Sequence, residues 1–280
     1  MPNPLIPTCA DLAGDEDLDR FDDMVNPPGL TNHWATAQVD HDVLAVRSLN
    51  VPPISQGDSI SGQLYLGGRL ARSYGQPVRV RWRPDRVERR TTIDGWEIET
   101  VTVCPPGQPG VSVQVQVRNT GPARTLRFGV WLTSTVTRSS EAWLAAEPPQ
   151  AANSTTRTGA RVLGTDQSGW SAQELVLPQD AVLLDGGARV VEAEVEVPAG
   201  GAVAWGYVHA IAATEAEASA AGTPGSRRCS TPTTTSSPAA CRCWTPATRH
   251  CARSTGGAPS ACSGSAGTTR PRSSGAPTTP

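Results

Sequence analysis

Lysine is absent from the 280 residues, so all 24 basic side chains are arginine. The chain also lacks any apolar run approaching 18 residues, and no positively charged segment precedes an apolar stretch at the N-terminus. These absences argue against a membrane-spanning helix and a secretion signal, so no membrane partner and a cytoplasmic location are expected. Of seven cysteines, only Cys9 and Cys104 precede residue 218, too few for a disulfide framework. No phosphate-cradling glycine loop, G-x-S-x-G elbow or H-E-x-x-H helix occurs, so no cofactor is expected.

The most informative absence is local. Ala218 to Pro280, 63 residues, contain no Val, Ile, Leu, Met, Phe or Tyr and no acid. Such a segment cannot bury enough apolar surface to offset an ordering entropy of roughly 1–2 kcal/mol per residue, so residues 218–280 are expected to be a disordered tail. Apart from His250, every residue type in it has C or G at the second codon position. A GC-rich bacterial gene read one nucleotide out of register produces that bias, and the missing lysine agrees with such a gene. Neighbouring residues constrain the other frame: Cys243-Trp244 forces Leu, Trp244-Thr245 forces Asp, and His250-Cys251 forces Leu. One permitted back-reading of residues 226–280 gives two helices joined by a polar connection. A frameshift beginning between about Glu217 and Arg227 is therefore expected. Five cysteines, Cys229, Cys241, Cys243, Cys251 and Cys262, surround His250, but no C-x-x-C pair occurs among them, and no metal is expected.

The charge divides the same way. Seven of the 24 arginines lie in the tail, leaving 17 against all 26 acids before it, a net charge of −9 for residues 1–217. That field repels phosphate, so nucleic acid is excluded as a partner.

Residues 1–30 form a Pro-containing acidic lead-in, expected to be disordered apart from a short helical turn over Leu18–Met24. Residues 31–217 are rich in strand signals. Strands are expected over Val39–Arg47 and Ser59–Leu66, around Val78–Trp82, and in a hairpin of Arg86–Ile93 and Trp96–Val103 turned by Asp94-Gly95. Val111, Val113, Val115 and Val117 alternate with Ser112, Gln114 and Gln116, which places the valines on a buried face. After Asn119-Thr120-Gly121-Pro122, Leu126, Phe128, Val130 and Leu132 repeat the pattern, and the two strands read as an antiparallel pair. Further strands fit Arg161–Gly164, Ala172–Leu177, Val191–Val197 and Val203–Ile211. About ten strands with short turns predict an all-β fold, a large antiparallel two-sheet β-sandwich.

The order Asp94-Gly95-Trp96-Glu97-Ile98-Glu99, Val101 to Pro105, the turn to Gly110, the valine strand, Arg118-Asn119-Thr120-Gly121 and Arg124-Thr125-Leu126 resembles a known domain. It is similar to the N-terminal β-sandwich that precedes the (α/α)6 barrel in six-hairpin glycosidases and related glycoside phosphorylases. The resemblance spans about residues 60–212. It implies a non-catalytic fragment of a glycoside hydrolase-like parent, whose paired carboxylic acids sit in a barrel this chain lacks. No catalytic residue is therefore carried over.

Among residues that look reactive, Asp40-His41-Asp42 reads as a solvated strand end whose side chains alternate and cannot converge on one ion. Glu192, Glu194 and Glu196 read as the outer face of an amphipathic strand, and Glu97 and Glu99 share one side without a neighbour to separate their pKa values. The eight tryptophans are better candidates, because aromatic faces stack on sugar rings. Trp82, Trp131 and Trp205 fall at inward positions. Trp34, Trp96, Trp143 and Trp170 fall at strand ends or loops and are the candidate carbohydrate-binding residues, the basis of an alternative reading as an autonomous binding module.

Overall fold

The computed structural model describes residues 17–19, 29–40, 42–56, 60–133, 135–138, 154–187 and 189–222. All fall within one compact unit, Met1–Arg228; the rest of the tail and Trp143 lie outside the described residues.

Among the described residues, nineteen strands, numbered in chain order, form three antiparallel sheets. The largest has nine strands in the spatial order β1 (Asp17–Asp19), β8 (Val78–Arg83), β9 (Arg86–Ile93), β10 (Trp96–Val103), β11 (Gly110–Asn119), β19 (Ala202–Ala212), β16 (Gly169–Val176), β15 (Arg161–Asp166) and β14 (Ser154–Thr158). A five-stranded sheet runs β17 (Val182–Leu184), β18 (Val190–Val197), β12 (Arg124–Trp131), β6 (Gln63–Leu66) and β7 (Arg69–Leu70). A second runs β13 (Thr137–Arg138), β5 (Ile54–Ser55), β4 (Val46–Val51), β3 (Thr36–Val39) and β2 (Gly29–Thr31). The two smaller sheets share one side of the large one, bridged to each other at Val46 and Ser61. The expected sandwich is present, with its second layer divided in two.

The core follows the period-two pattern. Val111, Val113, Val115 and Val117 are buried beside Ile98, Trp205 and Tyr207, while Gln114, Gln116 and Arg118 are exposed. From the other layer come Leu64, Leu66, Leu126, Phe128, Val130, Val191 and Ala193. Phe128 stacks on Trp205 across the layers, ring centroids 4.7 Å apart. Burying each such side chain contributes about 1.5–3 kcal/mol as an upper estimate.

Three sequence expectations are corrected. Asp17–Asp19 is a strand paired to β8, where a helical turn was expected. Val39–Arg47 is not one strand: Val39 ends β3 and pairs with Val46, which opens the antiparallel neighbour β4, so Asp40 and Asp42–Ala45 lie in the connection between the two. The valine strand and the strand after it are not a pair. β11 lies between β10 and β19, whereas β12 lies between β18 and β6, so Asn119–Pro122 carries the chain from one layer to the other.

That crossing is built on a buried asparagine. Asn119 Nδ2 donates to the carbonyls of Pro122 (2.6 Å), Pro198 (3.2 Å) and Val197 (3.3 Å), and its Oδ1 accepts from Gly121 N (3.0 Å). A hairpin would have satisfied those groups by pairing; here one side chain does it, freeing β12 to join the other sheet.

After β19 the chain forms the helix Glu215–Gly222. Thr214 caps it, its Oγ1 accepting from Glu217 N at 3.3 Å and donating to Glu217 Oε2 at 2.9 Å. Ala218 and Gly222, one turn apart, are its buried positions, and Ala218 packs with Ala172 and Ala212 on the outer face of the large sheet. The described structure thus runs five residues past the composition break at Ala218.

Candidate functional site

Among the expected sugar-contacting residues that the structure describes, Trp34 is the one displayed to solvent, at 60 % exposure. It sits in the β2–β3 turn, and that turn is held from below by Asn32. The Asn32 Oδ1 accepts from Trp34 N and Ala35 N, both at 2.7 Å, while its Nδ2 donates to Pro105 O (2.6 Å) and Gln108 O (3.0 Å). The turn is therefore tied to the one joining β10 to β11, and the Trp34 backbone is fixed although its ring is open.

Trp96 has a different role. It is 5 % exposed, and the Arg124 guanidinium lies over its ring at 4.0 Å. Arg124 also donates to Asp94 O (2.6 Å) and to Asn119 Oδ1 (3.3 Å), so Trp96 belongs to the packing of the layer crossing. Trp170 is half-buried against Leu163 and the alanines that receive the helix. Trp143 lies outside the described residues. Of the tryptophans assigned to the core, Trp205 is buried, Trp131 is half-buried, and Trp82 is 37 % exposed with its Nε1 donating to Gly29 O at 2.9 Å.

The Asp40-His41-Asp42 segment overturns its expectation more completely. Asp40 and Asp42 are each 4 % exposed and lie in the irregular 40–45 segment, not on a solvated strand end; His41 is outside the described residues. Their burial is organised by Arg89 on β9, itself fully buried. Its Nη1 donates to the carbonyls of Asp42 (2.6 Å), Asp40 (2.8 Å) and Ala45 (2.9 Å), and its Nη2 to Leu44 O (3.1 Å) and Thr102 Oγ1 (2.8 Å). Thr100 Oγ1 adds a bond to Val43 O at 2.6 Å. The guanidinium fork thus supplies donors to a connection that has no strand to pair with.

The carboxylate of Asp42 gains little from this. Neither of its oxygens has a partner at full hydrogen-bonding geometry, and the nearby Leu44 backbone only weakly favours the charged form. Burial pushes its pKa up to about 7, with the Asp40 charge adding to the rise and Arg89 opposing it. Burial also lowers Arg89 to about 10, the acids pulling the other way. Arg89 stays charged while Asp42 keeps its proton up to about neutral pH, and because the pair is closed to substrate it is structural rather than a proton-transfer site.

Glycosidic cleavage by two acids needs both to face one opening. Glu97 and Glu99 lie exposed on the outer face of β10, and Glu192 and Glu194 lie half-buried on that of β18. A depression of about 140 Å³ at the edge of the layers, lined by Tyr74, Trp96, Arg124 and Arg127 among others, contains Asp94 as its single carboxyl group. A broader one beside Arg157 and Leu183 contains only Asp185. Among the described residues no cluster of three or more His, Cys, Asp or Glu could hold a metal, and no helix is long and apolar enough to cross a membrane.

Arg89 was missed in the sequence, although a signal was present. It shares its parity on β9 with Val87, Thr91 and Ile93, all buried, and an arginine at such a position must bring its own acceptors inside.

The sequence matches no protein-family model and no curated protein. Among solved structures it is similar to a protein designated a kojibiose phosphorylase from the human microbiome (6 % identity, TM-score 0.40, covering 66 % of this chain and 29 % of that one). It is also similar to a bacterial glucoamylase complexed with acarbose (7 % identity, TM-score 0.40, covering 74 % and 37 %). A third is a protein designated an aldose 1-epimerase from Klebsiella pneumoniae (8 % identity, TM-score 0.39, covering 67 % and 79 %). The chain spans less than two fifths of the length of the first two.

Proposed function

We propose that this chain is the N-terminal β-sandwich portion of a cytoplasmic carbohydrate-active enzyme whose paired carboxylic acids lie in an (α/α)6 barrel, and that the chain alone performs no catalysis. The observation that carries the reading is the segment from Asp94 to Leu126, whose residue order resembles that of the glycosidase sandwich. In this protein that segment is one physical unit: the Asp94-Gly95 turn, Trp96, Arg124 and Asn119 hydrogen-bond and stack together where the chain changes layers. In such a parent the sandwich would buttress the barrel, and residues from about 227 onward would be an out-of-frame rendering of its first helices. Glycoside hydrolysis and phosphorolysis are equally compatible with it.

The test is genetic and then enzymatic. The coding region downstream of codon 217 is resequenced, the single-nucleotide shift is restored, and the product is assayed for release of sugar from α- and β-glucosides with and without phosphate. The reading expects an open second frame and activity only in the restored protein. A closed second frame, or glycoside cleavage by the chain as it stands, overturns it.

A second reading rests on Trp34. An exposed indole on a turn braced by Asn32 is a suitable platform for a sugar ring, so the chain would act as a carbohydrate-binding module. Retardation on an oligosaccharide affinity gel that is lost in W34A supports it; equal mobility with and without polysaccharide refutes it.

A further inference from the structure

The sheet that holds β12 is incomplete at one end. β6 pairs with β12 only from Gln63, opposite Trp131, to Leu66, opposite Phe128. It then turns through Gly67 (φ 55°) and Gly68 (φ 78°) into β7, which runs back along its other edge. Among the described residues, Arg124–Leu126 of β12 therefore has no strand on that side. The ladder fixes where its backbone groups point. Gly62 N donates to Trp131 O (2.8 Å) and Gly67 N to Arg127 O (2.9 Å), so the odd-numbered residues of β12 turn their backbone groups toward β6. Leu132 N donates to Arg189 O at 2.7 Å, which turns the even-numbered ones toward β18. The Thr125 N–H and C=O thus point out from the open edge.

That edge gives onto the depression of about 140 Å³ lined by Gly67, Tyr74, Trp96, Arg124, Thr125 and Arg127 among others. Each of its two rings is covered by a guanidinium: Arg124 lies 4.0 Å from the Trp96 ring and Arg69 lies 4.5 Å from that of Tyr74. Neither cation is closely matched by an acid. Arg124 gives its short bonds to neutral acceptors, Asp94 O and Asn119 Oδ1, while the Asp94 carboxylate lies 3.9 Å away and is 72 % exposed. Arg69 reaches Ser73 O at 3.5 Å and, among the described residues, no carboxylate. The nearby acids of β18 are engaged with other groups, Glu192 with Arg127 at 2.8 Å and Glu196 with the Thr125 hydroxyl. An open strand edge beside incompletely matched cations is a template for another strand that carries an acid.

We propose that the Arg124–Leu126 edge of β12 is a docking site for an acidic, extended segment of a protein partner, laid down in continuation of β6. One residue of the segment exchanges both main-chain hydrogen bonds with Thr125. The next stands opposite Arg124, and because directly opposed side chains share a face, a carboxylate there lies beside the Arg124 guanidinium. The depression is small and its rings are already covered by guanidiniums, so it suits a peptide edge with an acid better than a stacked sugar. The net charge of −9 on residues 1–217 opposes an acidic partner at long range only, since about 0.1 M salt screens it beyond about 10 Å. At contact the local cations decide. The site depends on neither the barrel nor the sugar chemistry proposed above.

The probe is the blocked tetrapeptide acetyl-Ser-Val-Glu-Val-amide, titrated into the full chain and followed by nuclear magnetic resonance of the backbone amides. In the free chain the Thr125 amide should exchange rapidly while those of Leu126 and Phe128, turned toward β18, are protected. Protection of Thr125 without peptide overturns the open edge. The peptide should saturate the chain with a Kd at or below about 1 mM and slow the exchange of Thr125; no saturation in that range overturns the proposal. Replacing the peptide's Glu by Gln, or N-methylating the valine before it, should each weaken binding about tenfold or more, and equal affinity in either case overturns it. T125P should fold, because the N–H it removes lies outside the ladder to β18, and should bind the peptide about tenfold or more weakly. Undiminished binding by T125P overturns the docking edge; should T125P not fold, the methylated peptide decides.

Discussion

Arg89 and Asp42 show how a single buried cation can determine the path of a backbone. The connection from β3 to β4 keeps its path because five acceptors converge on one guanidinium, and a planar fork with fixed N–H directions can satisfy them where an ammonium cannot. R89K should therefore destabilise the fold by on the order of 2–4 kcal/mol, since several buried carbonyls lose their donor while a charge stays inside. Urea unfolding measures this; a loss below about 0.5 kcal/mol would mean that water reaches the segment and replaces the fork. Asp42 makes a prediction about pH. Its folded pKa is raised, so the folded chain holds a proton that the unfolded chain gives up, and stability falls as pH rises from about 4 to about 7. D42N imitates the protonated acid. It should raise the melting temperature clearly at pH 8 and much less at pH 5, and an equal change at both would show that Asp42 is charged throughout. Neither residue was legible from composition: Asp40-His41-Asp42 looked solvated because the arginine that buries it lies 47 positions from Asp42, on another sheet.

At the scale of elements, local signals were most readable where both neighbours of a strand are also sequence neighbours. The β9–β10 hairpin was placed correctly from Asp94-Gly95, with Asp94 at φ 49° and Gly95 at φ 71°, the left-handed pair that such a turn demands. The alternation in β11, β12 and β18 also gave the right buried faces, because a half-buried strand must alternate. Partnership was not legible. β11 and β12 are consecutive, similar in pattern and separated by a turn sequence, yet the Asn119 side chain sends them into different layers. Alternation specifies which side faces the core but not which sheet a strand joins; the cue lay in a polar residue at the last buried position of β11. N119A should leave the Pro122, Val197 and Pro198 carbonyls without their donor and lower stability by about 2 kcal/mol, with hydrogen exchange accelerated first at the β11–β12 crossing. Unchanged exchange there would mean that the corner is fixed by Arg124 instead.

For the whole molecule, the question is where the self-sufficient part ends. Among the described residues, the main hydrophobic cluster runs from Leu30 to Ile211. The helix Glu215–Gly222 adds a second, smaller cluster, in which Ala218 closes over Ala172 and Ala212 and leaves Trp170 half-covered. Small residues are required on both sides there: a Cβ on Gly222 would already lie 3.5 Å from that of Ala172, so the helix rests almost directly on the sheet. Two truncations separate these contributions. Ending the chain after Gly222 should leave the melting temperature within a degree or two, because the residues it removes hold no Val, Ile, Leu, Met, Phe or Tyr and Trp244 as their one large apolar side chain. Ending it after Ala213 strips the cap at Thr214 and uncovers Ala172, Ala212 and Trp170; this should lower the melting temperature by several degrees and raise Trp170 accessibility to quenchers. If the longer truncation product is the one that unfolds, residues beyond 222 belong to the packed structure, and the composition argument that sets the tail apart from the sandwich fails with it.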